Sequence, residues 1–184
     1  MFDRLRQDIA RLKEGRENPS PTYALEALLL DNGFQAVLFH RIAHWFRCRK
    51  IPFLGPLFAR LGLFFTGTDI SPAAEIGPGL RIAHGQGLVI GGAARIGARA
   101  QLHQQVTIGA RSRLHLDQMP EVGDDIFVAA GASLIGPVRV GNRVYIGVGA
   151  VVTRDVPDCS KVVSAAGVEV TTEGAPGASP VAGR

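Results

Sequence analysis

The sequence predicts an α+β protein in which a small helical region precedes a coil of six-residue repeats. Two different periodicities predict it. Before residue 68, apolar residues recur three and four positions apart, as they do on one face of an α-helix. From residue 70 onward, aliphatic residues recur at every sixth position. A period of six fits neither an α-helix nor a series of hairpins, but it fits a coil in which each hexapeptide forms one short strand and one turn.

About four helices are predicted before the repeats. Phe2, Leu5, Ile9 and Leu12 share one helical face, so the first helix covers residues 2–13. The sequence Asn-Pro-Ser-Pro at residues 18–21 interrupts the helical pattern, because proline lacks the backbone donor that a helix needs. Three further helices are predicted over Tyr23 to Leu30, Gly33 to Arg49 and Ile51 to Phe65.

The six-residue repeat is broken only twice. A two-residue slip lies between Ile82 and Ile90, and an insertion covers Ala110 to Glu121. Three hexapeptides complete one triangular turn, so residues 70–157 predict about five coils, enough to bury a core. The strict step of six disfavours a β-sandwich. The repeated aliphatic residues are Ile70, Ile76, Ile82, Ile90, Ile96, Leu102, Ile108, Val122, Val128, Leu134, Val140, Ile146 and Val152.

The two periodicities divide the chain into three parts. They are an N-terminal helical region at residues 1–67, a β-helix domain at 68–157 and a C-terminal extension at 158–184. The extension ends in a stretch rich in glycine, alanine and proline from Gly174 to Arg184. That composition predicts flexibility toward its end.

Composition excludes several classes of protein. The 20 basic and 16 acidic residues give only a mild positive excess, without the basic block of a nucleic-acid-binding protein. Cys48 and Cys159 lie far apart, which argues against a disulfide scaffold or a zinc site and favours a reducing compartment, by default the cytoplasm. The start of the chain lacks the apolar run of a secretory signal. The apolar stretch from Ile51 to Thr66 is too short to cross a bilayer, so no membrane association is expected.

Several segments match one known group of proteins. They read Phe-His-Arg-Ile-Ala-His-Trp at residues 39–45, Thr-Asp-Ile-Ser-Pro-Ala-Ala-Glu-Ile-Gly at 68–77, His-Gly-Gln-Gly-Leu-Val-Ile-Gly at 84–91, Val-Thr-Ile-Gly at 106–109 and Ile-Gly-Val-Gly-Ala-Val-Val-Thr-Arg-Asp-Val-Pro at 146–157. The repeats resemble the left-handed parallel β-helix of hexapeptide-repeat acyltransferases. With the helical prefix, residues 1 to about 170 resemble the short bacterial serine acetyltransferases of cysteine biosynthesis. The resemblance implies an acetyl-CoA-dependent O-acetyltransferase.

His84 and Asp69 are the candidate catalytic residues. Acetyl transfer to a hydroxyl needs a base, because a hydroxyl is hardly ionised at neutral pH. His84 stands beside Gly85 and Gly87, where its imidazole could lie outside the coil. Asp69 could orient that ring and favour the imidazolium as it forms. The resemblance assigns the same pair, with backbone N–H groups expected to stabilise the developing oxyanion.

Acetyl-CoA is the expected acyl donor, and no metal is expected. The resemblance places the donor along Gly109, Ala110, Ala130 and Val148, and Arg111 and Arg113 could bind its phosphates or be solvated surface residues. Two arrangements of histidines are candidate metal sites. His40 and His44 lie four residues apart on a helix without a third ligand, so helix packing is the favoured interpretation. His84, His103 and His115 lack the spacing of a three-histidine zinc site on a β-helix.

The acceptor side departs from the family pattern. Asn18 and Ala83 stand where the family carries aspartates, and Gln118 and Met119 stand where it carries arginine and histidine. Loss of these charged contacts predicts changed acceptor contacts rather than lost chemistry, so the acceptor is L-serine or another small hydroxyl or amine compound. His103 or His115 could replace the missing histidine, although exposed polar residues are the favoured interpretation. A catalytically inactive β-helix that serves binding or assembly is the alternative of another class.

The resemblance also implies how the chain assembles. β-Helices of this group form homotrimers with the active site between subunits, and a homotrimer is therefore expected. In the family, a C-terminal tail ending in isoleucine inserts into cysteine synthase. This chain ends in Gly183 and Arg184, so no cysteine synthase complex is expected.

Overall fold

The structure is a computed structural model that describes residues 2–14, 23–165 and 167–172. Four helices come first, as predicted: α1 (Phe2–Lys13), α2 (Tyr23–Leu30), α3 (Asn32–Cys48) and α4 (Leu54–Thr66). The predicted breaker at residues 18–21 lies outside the described residues. Within the described part of the chain, no helix combines the length and apolar character needed to cross a membrane.

The ends of α3 and α4 follow from their capping residues. Asp31 precedes α3, and its Oδ1 accepts a hydrogen bond from the Phe34 N–H at 2.9 Å, the usual N-cap arrangement. Gly67 ends α4 in the left-handed conformation with φ +69°, and its N–H donates to the Leu63 carbonyl at 2.9 Å. This turn directs the chain into the first strand of the coil.

Residues 69–165 form a parallel β-helix of five coils with three flat faces, and the fold matches the predicted left-handed β-helix. Face 1 contains β1 (Asp69–Ile70), β4 (Val89–Ile90), β7 (Thr107–Gly109), β10 (Ser133–Ile135) and β13 (Val151–Val152). Face 2 contains β2 (Glu75–Ile76), β5 (Arg95–Ile96), β8 (Glu121–Val122) and β11 (Arg139–Val140). Face 3 contains β3 (Arg81–Ala83), β6 (Gln101–His103), β9 (Phe127–Val128), β12 (Tyr145–Ile146) and β14 (Ser160–Ala165). An antiparallel strand, β15 (Gly167–Thr172), pairs with β14.

The predicted six-residue register is confirmed. Each repeated aliphatic residue lies above its counterpart in the next coil, as Ile70 above Ile90 and Ile76 above Ile96. All thirteen predicted positions are buried in one core cluster. The helices contribute Ala36 and Val37 of α3 to the same cluster, so α3 covers the interior of the first coil. Burial of this continuous apolar column is the main stabilising contribution to the solenoid.

A buried ion pair fastens the helical region to the first coil. Arg41 of α3 donates from Nε to Asp8 Oδ2 of α1 at 2.9 Å, and the two residues are 3% and 1% exposed. Asp8 Oδ1 also accepts from the backbone N–H groups of Gly79 and Leu80, at 2.8 and 3.1 Å. Arg41 donates to the carbonyls of Ile76 and Gly77, at 2.7 and 2.6 Å. Two helices and one turn of the coil therefore share a single hydrogen-bonded network.

His40, one residue before Arg41, is a buried histidine. It is 2% exposed, and neither ring nitrogen has a hydrogen-bond partner among the described residues. Burial is the main reason why the pKa of His40 falls from 6.5 to about 3, with Arg41, His44 and Arg4 adding to the effect. His40 is therefore a neutral packing residue, which agrees with the favoured interpretation of the His40 and His44 pair.

This burial predicts a loss of stability in acid. Between pH 6.5 and about 3, the unfolded chain binds a proton at His40 that the folded chain does not, so stability falls as the pH falls. From pH 6.5 to pH 4 this single group should cost roughly 3 kcal/mol. Urea unfolding of the His40→Leu variant should show a smaller loss between pH 7 and pH 4.5 than the unsubstituted chain shows. The exposed loop variant His115→Gln is the control, and an equal acid loss in the His40→Leu chain would contradict the assignment.

Candidate active site

His84 lies on a bulge of the coil that the two-residue slip creates. The other turns between face 3 and face 1 carry one left-handed residue each, for example Gln105 at φ +58° and Gly131 at φ +71°. The turn at residues 84–88 carries Gly87 at φ +73° and, in addition, His84 itself at φ +58°. This turn therefore contains two left-handed residues where the corresponding turns of the other coils contain one. The bulge exposes the His84 side chain outside the coil.

Gly85 is required to form this bulge. A Cβ at Gly85 would lie 2.7 Å from Thr68 Cγ2 and 3.0 Å from Ile82 Cγ2, closer than packed carbon atoms approach. The Gln86 N–H donates to the His84 carbonyl at 2.5 Å, and the Gly87 N–H donates to the Gly67 carbonyl at 2.9 Å. These contacts fix the backbone on both sides of His84 against the start of β1.

Asp69 lies beside the same turn. It is the first residue of β1, its N–H donates to the Leu88 carbonyl at 2.8 Å, and its side chain is exposed. Both Asp69 and His84 belong to the described part of the chain, and no hydrogen bond joins their side chains there. The structure thus places Asp69 and His84 at one corner of the coil, with their side chains not hydrogen-bonded to each other. Catalytic hydrogen bonds often shorten only when substrate is bound.

A cavity of about 490 Å³ opens next to His84, between the helical region and face 3. The coil side of the cavity contains Arg81, Ala83 and His84. The helix side contains Glu26 of α2 and Asp31, the N-cap of α3. Such a cavity, with a few polar groups that converge on an exposed histidine, is a suitable place for a small acceptor.

His103 lies one coil above this cavity. It is the register partner of Ala83, and its ring packs on Phe127 with centroids 4.9 Å apart. The Gln101 amide nitrogen lies 3.2 Å from His103 Nε2, so this ring nitrogen accepts and Nδ1 carries the proton. The pKa of His103 lies below its ordinary value because of partial burial and then of nearby His84 and Arg81. The ring is therefore neutral at pH 7 and keeps one N–H donor.

The predicted donor residues lie on two separate edges of the coil. We call the turns at residues 84–88, 104–106, 129–132 and 147–150 the His84 edge, and the turns at 71–74, 91–94, 110–120 and 136–138 the loop edge. Ala130 and the 68% exposed Val148 lie on the His84 edge. Gly109, Ala110, Arg111 and Arg113 lie at the loop edge. One strand of face 1 separates the two edges in every coil.

Both edges have free space beside a glycine, which the extended pantetheine arm of acetyl-CoA needs. A Cβ at Gly109 would meet only Thr107 Cγ2, at 4.0 Å, and a Cβ at Gly149 would meet nothing within 4 Å. Arg111 and Arg113 are exposed, and the Cβ of Arg111 lies 3.4 Å from the position a Cβ would take on Gly136. The small residues and the two cations are compatible with CoA.

The three predicted acceptor residues that the structure describes are not brought together within one chain. Ala83 lies beside His84, but exposed Gln118 and half-buried Met119 lie at the loop edge. Met119 packs on the core next to Gly91, and its Sδ accepts a hydrogen bond from the Ala93 N–H at 3.3 Å. Met119 thus anchors the insertion to the coil. Asn18 lies outside the described residues.

His115 is the remaining histidine that the sequence analysis considered for the site. His115 is exposed in the insertion, where its N–H donates to the Ser112 carbonyl at 3.2 Å, and it is remote from the His84 bulge in sequence and in the coil. Among the residues that the structure describes, no group of three His, Cys, Asp or Glu side chains could hold a metal ion.

Arg81 and Gln101 were not singled out from the sequence, because an outward residue of a repeat gives no signal of its own.

The fold and the site together define a hexapeptide-repeat acyltransferase, in which a β-helix presents an exposed histidine beside a small-molecule cavity. Comparison with known proteins gives the family. Serine acetyltransferase from Bacillus pumilus is 38% identical over 173 residues, which cover 94% of this chain and 79% of that protein. The enzyme from Synechococcus elongatus is 38% identical over 163 residues, which cover 88% of this chain and 66% of that protein. The chain belongs to the serine acetyltransferase family. No protein-family model matches it.

Solved structures agree with this placement. Serine acetyltransferase from Neisseria gonorrhoeae has a TM-score of 0.84 at 30% identity, covering 95% of this chain and 68% of that one. The Brucella abortus enzyme in complex with coenzyme A has a TM-score of 0.83 at 28% identity, covering 94% of this chain and 68% of that one. A further structure of the Neisseria enzyme contains serine and has a TM-score of 0.82 at 30% identity, covering 92% of this chain and 68% of that one.

Proposed function

We propose that this chain transfers the acetyl group of acetyl-CoA to the hydroxyl of L-serine, in the cytoplasm and as a step of cysteine biosynthesis. The observation that carries the proposal is the position of His84, exposed on a bulge of the coil beside a cavity of about 490 Å³. The names of the relatives, and the neighbours solved with coenzyme A and with serine, support the donor and the acceptor.

In the proposed reaction, His84 takes the proton of the acceptor hydroxyl as its oxygen attacks the thioester carbonyl. Acetyl-CoA supplies the acetyl group, and its carbon–sulfur bond breaks. The imidazolium then gives its proton to the departing thiolate, which leaves as the thiol, so His84 returns to its neutral form. Asp69 stabilises the imidazolium and holds the ring in one orientation, as the carboxylate does in other histidine-based sites.

The reaction is tested by incubating the purified protein with acetyl-CoA and a panel of acceptors, and following release of the CoA thiol. The panel contains L-serine, L-homoserine, L-threonine, 2-aminoethanol and simple sugars. Release with L-serine well above the rest is the expected result. Release with a different acceptor alone would replace serine in the proposal, and tight CoA binding without release from any acceptor would favour the non-catalytic alternative.

We further propose that the working enzyme is a homotrimer. Candidate residues lie on the His84 edge and on the loop edge of each chain, and face 1 separates them. In a closed ring of three, the His84 edge of one subunit faces the loop edge of its neighbour, which completes the site. The expected mass in solution is three times the 19.5 kDa of the chain.

Shared sites predict recovery of activity between two inactive variants. His84→Asn removes the base, and Gly109→Leu fills the free space at the loop edge, so each variant alone should be inactive. If both are produced together and mix at random in trimers, about a quarter of the sites combine two intact halves. Thiol release at about that fraction of the normal rate is expected. Mixed trimers, verified by mass, that stay inactive would place the whole site within one subunit.

A further inference from the structure

Arg81 is an exposed cation at the cavity, and it has no ion-pair partner among the residues that the structure describes. Three other outward arginines of the coil have acidic neighbours: Arg95 and Arg139 approach Glu121, at 3.5 and 4.0 Å, and Arg99 pairs with Asp125. Arg81 forms no hydrogen bond or ion pair with any residue in the described part of the chain. It nevertheless lines the cavity beside His84, and it lies close enough to His103 to lower the pKa of that ring. An unpaired guanidinium in such a place is available to an anion.

The residues around Ala83 form a niche that fits a small anionic group. Arg81 and Ala83 project from the same side of β3, because they flank the inward Ile82. Their register partners in the next coil are Gln101 and His103. The methyl group of Ala83 therefore lies among Arg81, His84 and His103, whose side chains are all longer. Arg81 offers two parallel N–H donors, and the ring of His103 lies next to this position in the following coil.

The opposite wall of the cavity has the opposite charge. Glu26 and Asp31 contribute carboxylates from the helical region, while Arg81 contributes a cation from the coil. A cavity with a cation on one wall and carboxylates on the other suits a zwitterion better than a neutral polyol. The acceptor's carboxylate would then lie at the coil wall of the cavity, within reach of Arg81.

We propose that Arg81 binds the carboxylate of an amino-acid acceptor in the niche over Ala83, with His103 Nδ1–H as a second donor. This inference rests on the acetyl transfer proposed above and names the contact that selects its acceptor. Arg81 is a binding residue in this account, and His84 remains the base. The contact is supplied by the coil itself and does not require Gln118.

The test is a comparison of kinetic constants between Arg81→Met and the unsubstituted enzyme. Loss of a charge-assisted contact of about 1.5–3 kcal/mol corresponds to a rise of roughly 10- to 100-fold in KM for L-serine. The KM for acetyl-CoA should not change, and kcat should change by less than about threefold, since the contact forms in the ground state as well. Arg81→Lys should recover part of the affinity. Arg139→Met, an outward arginine of face 2, is the matched control and should behave as the unsubstituted enzyme does.

An acceptor without a carboxylate isolates the interaction. With 2-aminoethanol, Arg81→Met and the unsubstituted enzyme should have the same KM, because neither can form the contact. An unchanged KM for L-serine in Arg81→Met, or an equal loss with both acceptors, would overturn the inference. Calorimetric titration with L-serine gives the same comparison without turnover, and failure of the unsubstituted protein to bind L-serine would also overturn it. If no acceptor gives thiol release, the proposed function is wrong. If the enzyme is active and Arg81→Met does not change its kinetic constants, only this inference is wrong.

Discussion

Replacing His84 with asparagine is expected to lower kcat by about 10²- to 10⁴-fold, the usual contribution of a positioned general base. Asparagine suits this test because it tolerates the left-handed backbone that His84 adopts, at φ +58°. The bulge should therefore keep its shape while the base is lost. Steady-state thiol release from acetyl-CoA, with L-serine saturating, measures the effect. Binding of CoA to the variant should be unchanged.

Two controls separate the loss of a base from general damage. His115→Gln changes an exposed histidine in the insertion and should leave kcat unchanged. Asp69→Asn should lower kcat by less than His84→Asn does, because it removes the orienting charge and leaves the base in place. If His84→Asn retained most of the activity in a correctly assembled protein, the base would have to be sought elsewhere.

Replacing Arg41 with methionine is expected to lower the free energy of unfolding by about 3–5 kcal/mol, because it leaves the buried Asp8 carboxylate without its cation. For a chain of this length, such a loss lowers Tm by roughly 10 °C. Breaking the network also releases the backbone of the first coil, since Arg41 binds the carbonyls of Ile76 and Gly77. Thermal unfolding followed by circular dichroism measures the change.

A double-mutant cycle shows whether the loss comes from the pair. Asp8→Ala combined with Arg41→Met should destabilise the protein by less than the sum of the two single changes, because no unpaired charge remains buried. The exposed pair of Arg139 and Glu121 provides the comparison, and Arg139→Met should cost less than about 1 kcal/mol. Additive single effects at Asp8 and Arg41 would show that the two residues act independently.

The inward-facing residues of the β-helix could be predicted from the sequence almost one by one. The step of six is dictated by geometry, because every third hexapeptide returns to the same face and its aliphatic residue must enter the core. For the same reason, the departures from that step carried information. The slip between Ile82 and Ile90 is the bulge that exposes His84, and the insertion from Ala110 onward is the loop that Met119 anchors.

The outward half could not be read in this way. Arg81 and Arg139 occupy equivalent outward positions next to an inward aliphatic residue, and only the structure shows that one faces a cavity while the other approaches Glu121. The pair of Asp8 and Arg41 joins residues 33 positions apart on two helices, and no local pattern marks such a contact. The sequence also groups Ala83 with Gln118 and Met119 as acceptor residues, whereas the coil holds them on different edges.

The product of the reaction tests the central claim most directly. After incubation with acetyl-CoA and L-serine near neutral pH, mass spectrometry should detect acetylserine, and neutral hydroxylamine should cleave it, because the acetyl group is held as an ester on the hydroxyl oxygen. The same incubation with His84→Asn should yield almost none. An amide product that forms from the start of the reaction without prior ester, or equal amounts of ester from both proteins, would contradict O-acetyl transfer with His84 as the base.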